Sequence, residues 1–254
     1  MASEGKELTF WDHLDELRGT LLRSLAVVCI MTVFGLVFRH FVFDTIILAP
    51  THKDFFIYRW FHLSREINVV NLEISGQFLV HLKVSLMLGL VLAFPYVVWE
   101  IWRFIAPALY QDEKRGVSRA FLLSSGLFYL GVAVGYFILL PVCLAFFQGY
   151  TVSDAVLNTF SLQSYISLFG SMVLLIGVVF EFPMLIMALS AIGVVNRSML
   201  RKGRRYALVA VLIVAAFVTP ADLGSMLIVS VPLYGLYEMS ILFCKDKVEV
   251  EEKQ

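Results

Sequence analysis

Charged residues are scarce in this chain, and their charges cancel. Of its 254 residues, 16% are Asp, Glu, Lys or Arg, with 20 basic side chains against 20 acidic ones. Binding to nucleic-acid phosphates requires a surplus of basic residues gathered on one face, so no nucleic-acid partner is expected. Hydrophobic residues make up 59% of the chain, more than soluble globular domains usually carry. The composition therefore predicts a membrane protein that contacts lipid.

Cysteine and histidine are too dispersed to form a recognisable site. The three cysteines lie far apart, in or beside apolar runs: Cys29, Cys143 and Cys244. This spacing excludes a disulfide framework and a CxxC pair, so we expect packing residues. Three histidines, His40, His52 and His62, share a loop with Asp44 and Asp54, but their spacing fits no known ligand pattern. We expect a solvated loop there, with no metal and no cofactor.

Motifs of membrane enzymes are also missing. The chain contains no HExxH, no GxSxG, no Walker-type GxxxxGK[ST] and no evident nucleophile–base pair, so it is not expected to be an enzyme. Five acidic residues precede the first apolar run, which is the opposite of the chemistry of a cleaved signal peptide or transit peptide. We therefore expect the first apolar run to remain in the mature protein.

Six apolar runs predict an all-α integral membrane protein with six transmembrane helices. The runs cover residues 20–38, 77–102, 117–141, 162–195, 206–218 and 223–243. Most of them reach the roughly 20 residues that the hydrocarbon core of a bilayer demands. Residues 9–19 begin with a pattern like a capping box and place leucines on one face. This pattern predicts a short amphipathic helix at the membrane surface.

No internal repeat or second domain is evident, so residues 1–254 form one predicted polytopic domain. It comprises an amphipathic segment (1–19), the six-helix bundle (20–243) and a tail (244–254). The loop at 39–76 is too long for a hairpin and too aromatic for a disordered linker. We expect this loop to fold into a cap over the outer face.

The fifth apolar run is short, since about a dozen residues span only roughly 18 Å. A re-entrant segment is one interpretation. However, residues 196–205 before it contain five basic side chains, whereas residues 219–222 after it contain none, which favours opposite sides of the membrane. We prefer a short fifth span that thins the bilayer locally, and we expect helices five and six to be short.

The distribution of Lys and Arg predicts that both termini lie in the cytoplasm, because basic residues accumulate on that side. With this orientation the cytoplasmic segments carry 15 basic residues, and the outer side carries four, all within residues 39–76. The remaining one, Lys83, lies near an outer helix end.

Acidic residues in or beside the apolar runs need a partner or an aqueous cavity. Glu181 lies near the middle of a long run, where an ionised acid costs a few kcal/mol. A protonated Glu181 bonded to a neighbouring helix is the structural alternative. Pro183 removes a backbone donor and predicts a kink nearby. Glu100 and Glu238 are expected to be interfacial, partly solvated carboxylates.

With those residues noted, the sequence resembles the twin-arginine translocase C-subunit family, TatC, from about Phe10 to Phe243. Four motifs carry the resemblance, and they read His13-Leu-Asp-Glu-Leu-Arg18, Phe104-Ile-Ala-Pro-Ala-Leu-Tyr110 with Glu113-Lys-Arg115, Phe180-Glu-Phe-Pro183 and Thr219-Pro-Ala-Asp222. Two departures stand out. The first motif is followed by Gly19 and Thr20 where the family often has another basic residue, and the next arginine comes only at Arg23. Ala221 replaces a proline that is common in the last motif.

The resemblance implies a cup-shaped bundle in the bacterial inner membrane that binds twin-arginine signal peptides of folded proteins at its cytoplasmic face. It further implies single-span partner subunits of the TatA and TatB type, contact with lipid, a homo-oligomer within the receptor complex, and transport driven by the proton-motive force. Motif matching assigns signal-peptide binding to Glu16, Glu113, Arg18 and Phe104, and the intramembrane cavity acid to Glu181.

Motif matching also places Thr219 and Asp222 in a region that contacts partner helices. Asp222 has an alternative role as the cap of the sixth helix. The acids assigned to the signal peptide suit their ligand, because a carboxylate accepts two parallel hydrogen bonds from a guanidinium and lysine cannot copy that fork.

An alternative of a different class is a secondary transporter that uses Glu181 as a proton or cation relay. Transporters of that class usually show internal repeats with broken helices, and no repeat is visible here. Comparing the binding of a twin-arginine peptide with that of its twin-lysine version distinguishes the two readings.

Overall fold

The computed structural model describes residues 10–55, 57–58, 67–109, 114–153, 158–191, 193–219 and 223–244. Helices account for most of these residues. The first half of the chain contains α1 (Phe10–Val37), α2 (Gly76–Leu109), α3 (Lys114–Val134) and α4 (Leu140–Gly149). The second half contains α5 (Leu162–Gly170), α6 (Ile176–Val179), α7 (Phe182–Ala191), α8 (Arg197–Lys202), α9 (Arg204–Val218) and α10 (Leu223–Phe243).

Short non-α segments join several of these helices. Two π-helical segments, Gly135–Leu139 and Ser171–Leu175, connect α3 to α4 and α5 to α6. A third π segment (Phe41–Ile47) and a 3₁₀ turn (Ala49–Thr51) follow α1. The strands β1 (Val69–Val70) and β2 (Phe160–Ser161) pair in parallel, with Val69 opposite Phe160.

Five helical stretches are long and apolar enough to cross a membrane. They are Leu14–Val37, Gly76–Phe104, Leu122–Gly149, Leu162–Ser190 and Leu223–Leu242, and we number them spans one to four and span six. The fifth predicted span corresponds to α9, which has 15 residues. The expectation that helix six is short was wrong, because α10 has 21 residues, enough for about 31 Å.

The start of the chain differs from the expected surface helix. Residues from Phe10 onward are helical, but α1 runs without interruption from there to Val37. The amphipathic segment is therefore the first part of the first spanning helix. The leucines assigned to its apolar face are exposed: Leu14, Leu17 and Leu21.

The C-terminal half of α1 and the N-terminal half of α2 pack closely because glycines lie at the contact. A Cβ added to Gly89 would come within 2.3 Å of the Thr32 Oγ1 atom, and one added to Gly35 would come within 3.1 Å of the Ser85 Cα atom. The two backbones therefore approach to a distance that only glycine permits, as in other membrane helix pairs.

Spans three and four form the centre of the main hydrophobic core, and their π segments face each other. A Cβ added to Gly135 would come within 1.9 Å of the Met172 carbonyl oxygen. The neighbouring side chains Phe128, Leu140 and Ile176 are fully buried. This close packing fixes the register between the two spans and, with it, the residues that face each other nearer the start of span three and the end of span four.

The described part of the loop at 39–76 packs against the C-terminal half of span three and the start of span four. The Tyr58 hydroxyl donates to the Pro50 carbonyl oxygen at 2.7 Å, and burial raises the pKa of Tyr58 to about 12. The Tyr136 hydroxyl, on span three, donates to the Ile46 carbonyl oxygen at 2.8 Å. The β1–β2 pair then ties this loop to the loop that joins α4 to α5.

Candidate functional site

The first turns of α1 present acidic and basic side chains to solvent. Asp15, Glu16 and Arg18 are all exposed. Among the described residues, none of the ion pairs uses Glu16 or Arg18. The structure therefore leaves the predicted acid of the first motif accessible to a ligand.

The second part of the predicted peptide site lies at the end of α2. Phe104 is half-buried and makes contacts with its neighbours. Glu113, the second predicted acid, lies outside the described residues, as does Asp222 of the last motif. The structure thus places Glu16, Arg18 and Phe104 and leaves the position of the other two acids as a prediction.

A partly buried ion pair connects α1 to α2 close to these residues in sequence. The Arg23 guanidinium donates from Nε to both Glu100 carboxylate oxygens at 3.1 Å and from Nη2 to Glu100 Oε2 at 2.7 Å. The Tyr96 hydroxyl donates to Glu100 Oε1 at 3.0 Å, and Arg23 Nη2 also donates to Thr20 Oγ1 at 3.3 Å. The expectation that Glu100 is partly solvated was wrong, because the residue is only 3% exposed.

Sequence reasoning missed this pair because its two members are 77 positions apart. Arg23 appeared only as a delayed basic residue after the first motif, and Glu100 only as an acid near a helix end. A usable signal did exist: both residues sit about a turn inside the apolar runs of two adjacent spans, and opposite charges at matching depth tend to pair.

The side chain of Glu181, a residue of span four, contacts span three. It is half-buried, and the Ser124 hydroxyl on span three donates a hydrogen bond to its Oε2 atom. Glu181 Oε1 is buried and lacks a partner of normal hydrogen-bond geometry among the described residues. The structure therefore confirms that this acid meets a neighbouring helix, and it leaves one carboxylate oxygen available to a further donor.

The helix of span four is interrupted at Glu181, as Pro183 predicts. Helix α6 ends at Val179 and α7 begins at Phe182. Pro183 has no N–H to donate to the Val179 carbonyl, and its ring disfavours a continuous helix there. The Glu181 N–H instead donates to the Val178 carbonyl at 3.0 Å. Glu181 therefore lies in a turn between two helices and not within a regular helix.

Glu238 is also paired rather than simply solvated. The Arg204 Nη2 atom donates to Glu238 Oε2 at 2.7 Å, with both side chains partly exposed. The pair connects the first residue of α9 with the last turns of α10. Ion pairs with this exposure contribute about 0–1 kcal/mol to the free energy of unfolding. We therefore expect this pair to align α9 with α10 and to add little stability.

The C-terminal end of α9 carries the predicted partner-contact residue Thr219. Thr219 is buried, and its hydroxyl donates to the Ala215 carbonyl oxygen at 3.0 Å. Its own side chain is therefore engaged in capping α9. Beside it, Phe217 is 83% exposed and Leu223 is 74% exposed, and a cavity of about 430 Å³ opens between Phe217 and Phe147. The exposed apolar surface at this end of α9 is therefore formed by residues next to Thr219 and not by Thr219 itself.

Comparison with known proteins identifies the scaffold that carries these residues. The family model for Sec-independent protein translocase protein (TatC) matches residues 12–232. The chain is a member of the TatC family. The four motifs that suggested this resemblance lie within the matched range.

Relatives named Sec-independent protein translocase protein TatC match nearly the whole chain. The protein from Blattabacterium sp. subsp. Periplaneta americana is 36% identical, over 95% of this chain and 96% of the relative. The protein from Deinococcus radiodurans is 33% identical over 92% and 85%, and that from Escherichia coli (strain K12) is 30% identical over 92% and 86%. TatC membership and the apolar helices together make this chain an integral membrane protein of the bacterial inner membrane.

Solved TatC structures share the fold. A crystal structure of a twin arginine translocase receptor, TatC, in DDM matches with a TM-score of 0.79 at 31% identity, covering 92% of this chain and 99% of the other. A second crystal structure of a TatC receptor matches with a TM-score of 0.77. The TatC family is a component of a protein translocase, so its role is transport rather than catalysis.

Proposed function

We propose that this chain is the receptor and core subunit of a twin-arginine protein translocase, binding twin-arginine signal peptides of folded proteins at its cytoplasmic face. The observation that carries the proposal is an exposed and unpaired acid, Glu16, at the start of α1 in a chain of the TatC family. Because none of the ion pairs among the described residues uses Glu16, its carboxylate is available to a guanidinium from outside.

The chemistry of the site suits paired arginines. A carboxylate holds a guanidinium through two parallel hydrogen bonds, and such charge-assisted bonds are roughly twice as strong as neutral ones. We assign one arginine to Glu16 and the other to Glu113, with Arg18 ordering the acids and Phe104 packing against the peptide. A lysine ammonium has no planar fork, so twin-lysine peptides should bind less well.

The proposed orientation puts both termini in the cytoplasm and makes α9 a short fifth span, so that six helices form the bundle. The 15 basic residues of the segments assigned to the cytoplasm, against four on the outer side, support it. The α8 segment and the start of α9 contribute five of the 15, immediately before the short span.

Single-span partner subunits are proposed to dock at the outer ends of α9 and α10. The exposed side chains of Phe217 and Leu223 offer the apolar contact that a partner helix needs, while Thr219 closes the end of α9. Several copies of the chain would assemble with these subunits in the receptor complex. Transport would draw on the proton-motive force, in keeping with the lack of a Walker-type motif.

The test is direct binding of synthetic signal peptides to the purified chain in detergent or nanodiscs. A fluorescent twin-arginine peptide should bind at least about tenfold more tightly than the same peptide with both arginines replaced by lysine, because 1.4 kcal/mol corresponds to that factor. Equal affinity for the two peptides, with the protein shown to be folded, would contradict the proposed function.

A further inference from the structure

We propose that Arg23 and Glu100 are positioning residues for the signal-peptide site, holding the acidic start of α1 at a fixed place relative to the end of α2. This inference rests on the proposed function. The Arg23 fork meets both carboxylate oxygens of Glu100, and the Tyr96 hydroxyl occupies a further lone pair. Such a bidentate pair defines an orientation as well as a distance.

Helix geometry connects the pair to the site on both sides. Arg23 follows Glu16 by seven residues, so the two share a face of α1 about two turns apart, roughly 10 Å along the axis. Phe104 follows Glu100 by four residues, which is about one turn of α2. A shift of α1 at Arg23 is therefore transmitted directly to Glu16.

The inner half of α1 has few other attachments among the described residues. Residues 14–18 and 21–23 are exposed, and Thr20 and Val28 are the buried positions of the first five turns. Only 17% of the most apolar 18-residue stretch of span one is buried inside the protein. The outer half, by contrast, is held by Gly89 against Thr32. The ion pair is thus the polar attachment of the half of α1 that carries Glu16.

The environment of Glu100 makes the attachment specific to arginine. Glu100 is only 3% exposed, whereas the Arg23 side chain is 48% exposed. A lysine at position 23 would keep the charge but reach the carboxylate through a single ammonium without the fork. Arg23→Lys should therefore keep the helices together and loosen their orientation.

The closing experiment separates positioning from stability. Removing one partner would leave a buried charge, so the main variant replaces the whole pair, Arg23→Met with Glu100→Leu, a kind of replacement that often leaves stability unchanged. Arg23→Lys is the second variant, in case the double replacement does not insert. Asp15→Asn, on an exposed neighbour of Glu16, is the matched control.

Two readouts are needed. The first is affinity for the twin-arginine peptide, which should fall roughly tenfold in the double variant and less in Arg23→Lys, in line with one impaired charged contact. The second is the distance distribution between spin labels at Leu14 and Arg103, both exposed, in a background with the three cysteines replaced by alanine. The distribution should broaden in the double variant while the melting temperature stays near that of the wild type.

The outcomes distinguish the positioning role of the ion pair from the receptor function of the chain. Weaker binding with a broadened distance at unchanged melting temperature supports positioning. If Glu16→Ala weakens binding but the double variant and Arg23→Lys bind normally, the positioning role is overturned and the receptor function stands. If neither Glu16→Ala nor the pair variants change binding, both proposals fall.

Discussion

Ser124 on span three and Glu181 on span four, 57 positions apart in sequence, are joined by a hydrogen bond from the serine hydroxyl to the carboxyl group. Each is placed by its own span: Ser124 is on the buried face of α3, and Glu181 is in the break between α6 and α7. Close packing of the two spans at Gly135 and Met172 sets their register. The acid is therefore held at a defined place between two helices.

Replacing Glu181 should affect export according to hydrogen-bonding capacity. Glu181→Gln keeps an acceptor for Ser124 and should retain most activity, whereas Glu181→Leu leaves the serine hydroxyl unsatisfied, at a cost of about 1–3 kcal/mol. We expect export of a folded reporter to be reduced in Glu181→Leu while binding of the signal peptide is largely preserved. Ser124→Ala is the matched partner variant. Normal export by Glu181→Leu would make the residue a purely structural acid.

The two proposed arginine-binding acids should contribute independently. Glu16→Ala and Glu113→Ala should each weaken peptide binding by about 1–3 kcal/mol, or roughly 5- to 150-fold, with the lower end applying where water reaches the site. The double variant should lose useful recognition yet still insert. Higher salt should weaken binding to the wild type. Asp15→Asn is the control, and unchanged affinity in the folded double variant would remove both residues from the site.

Reporters at three positions should reveal the orientation of the chain. A reporter after Gln254 and one near Gly203 should be cytoplasmic, because the flanking segments contain most of the basic residues. A reporter near Asp154 should be external. An external signal at Gly203 would show instead that α9 is re-entrant, with the topology revised from that point on.

A methyl group at the contact between spans three and four should be destabilising. Gly135→Ala would bring a Cβ within 1.9 Å of the Met172 carbonyl oxygen, so the backbones must separate. Overpacking of this kind costs about 1–3 kcal/mol. Gly126→Ala, on the same span with no atom within 4 Å of the new Cβ, is the control and should be neutral or slightly stabilising. Thermal unfolding in detergent compares the two, and equal melting temperatures would refute this view of the interface.

Alkaline pH should loosen the loop at 39–76 through Tyr58, whose pKa is raised by burial to about 12. Since the unfolded pKa is about 10, the stabilisation from the neutral hydroxyl is complete below pH 10 and is lost as the pH rises through 12. Partial water access limits the effect to about 1–2 kcal/mol. Tyr58→Phe should remove the dependence on tyrosine ionisation, at the cost of the bond to Pro50. The measurement is the protease sensitivity of the loop between pH 9 and 12. Identical pH profiles for the wild type and Tyr58→Phe would contradict this prediction.

The sequence predicted the spans well because apolar length is a property of each segment alone. Residues 223–243 were assigned to one helix from hydropathy, and α10 has those bounds. The break before Pro183 was also predictable, since proline removes a backbone donor whatever its surroundings. The π segments at Gly135 and Ser171 were not predicted, because they arise where two spans pack against each other.

The candidate site was only partly predictable for the same reason. Glu16, Arg18 and Phe104 were assigned through motifs. The pairing of Glu100 with Arg23 depends on the depth and rotation of two separate helices, which hydropathy does not report. A single acid near the end of an apolar run gives the same pattern whether it faces water or a partner. The error over Glu100 therefore reflects missing information on helix register.

The unequal lengths of the helices have a consequence for the lipids around the protein. The apolar stretch Gly76–Phe104 contains 29 residues, or about 44 Å of helix, whereas the 15 residues of α9 measure about 22 Å. The hydrocarbon core of a bilayer is about 30 Å thick, so this stretch of α2 is longer than the core and α9 is shorter. Each ångström of mismatch costs a fraction of a kcal/mol. If α9 spans the membrane as proposed, short acyl chains are favoured as its neighbours and long ones beside α2. The chain sorts its own lipid annulus, and the fatty-acid composition of the host membrane enters its energetics unevenly around the molecule.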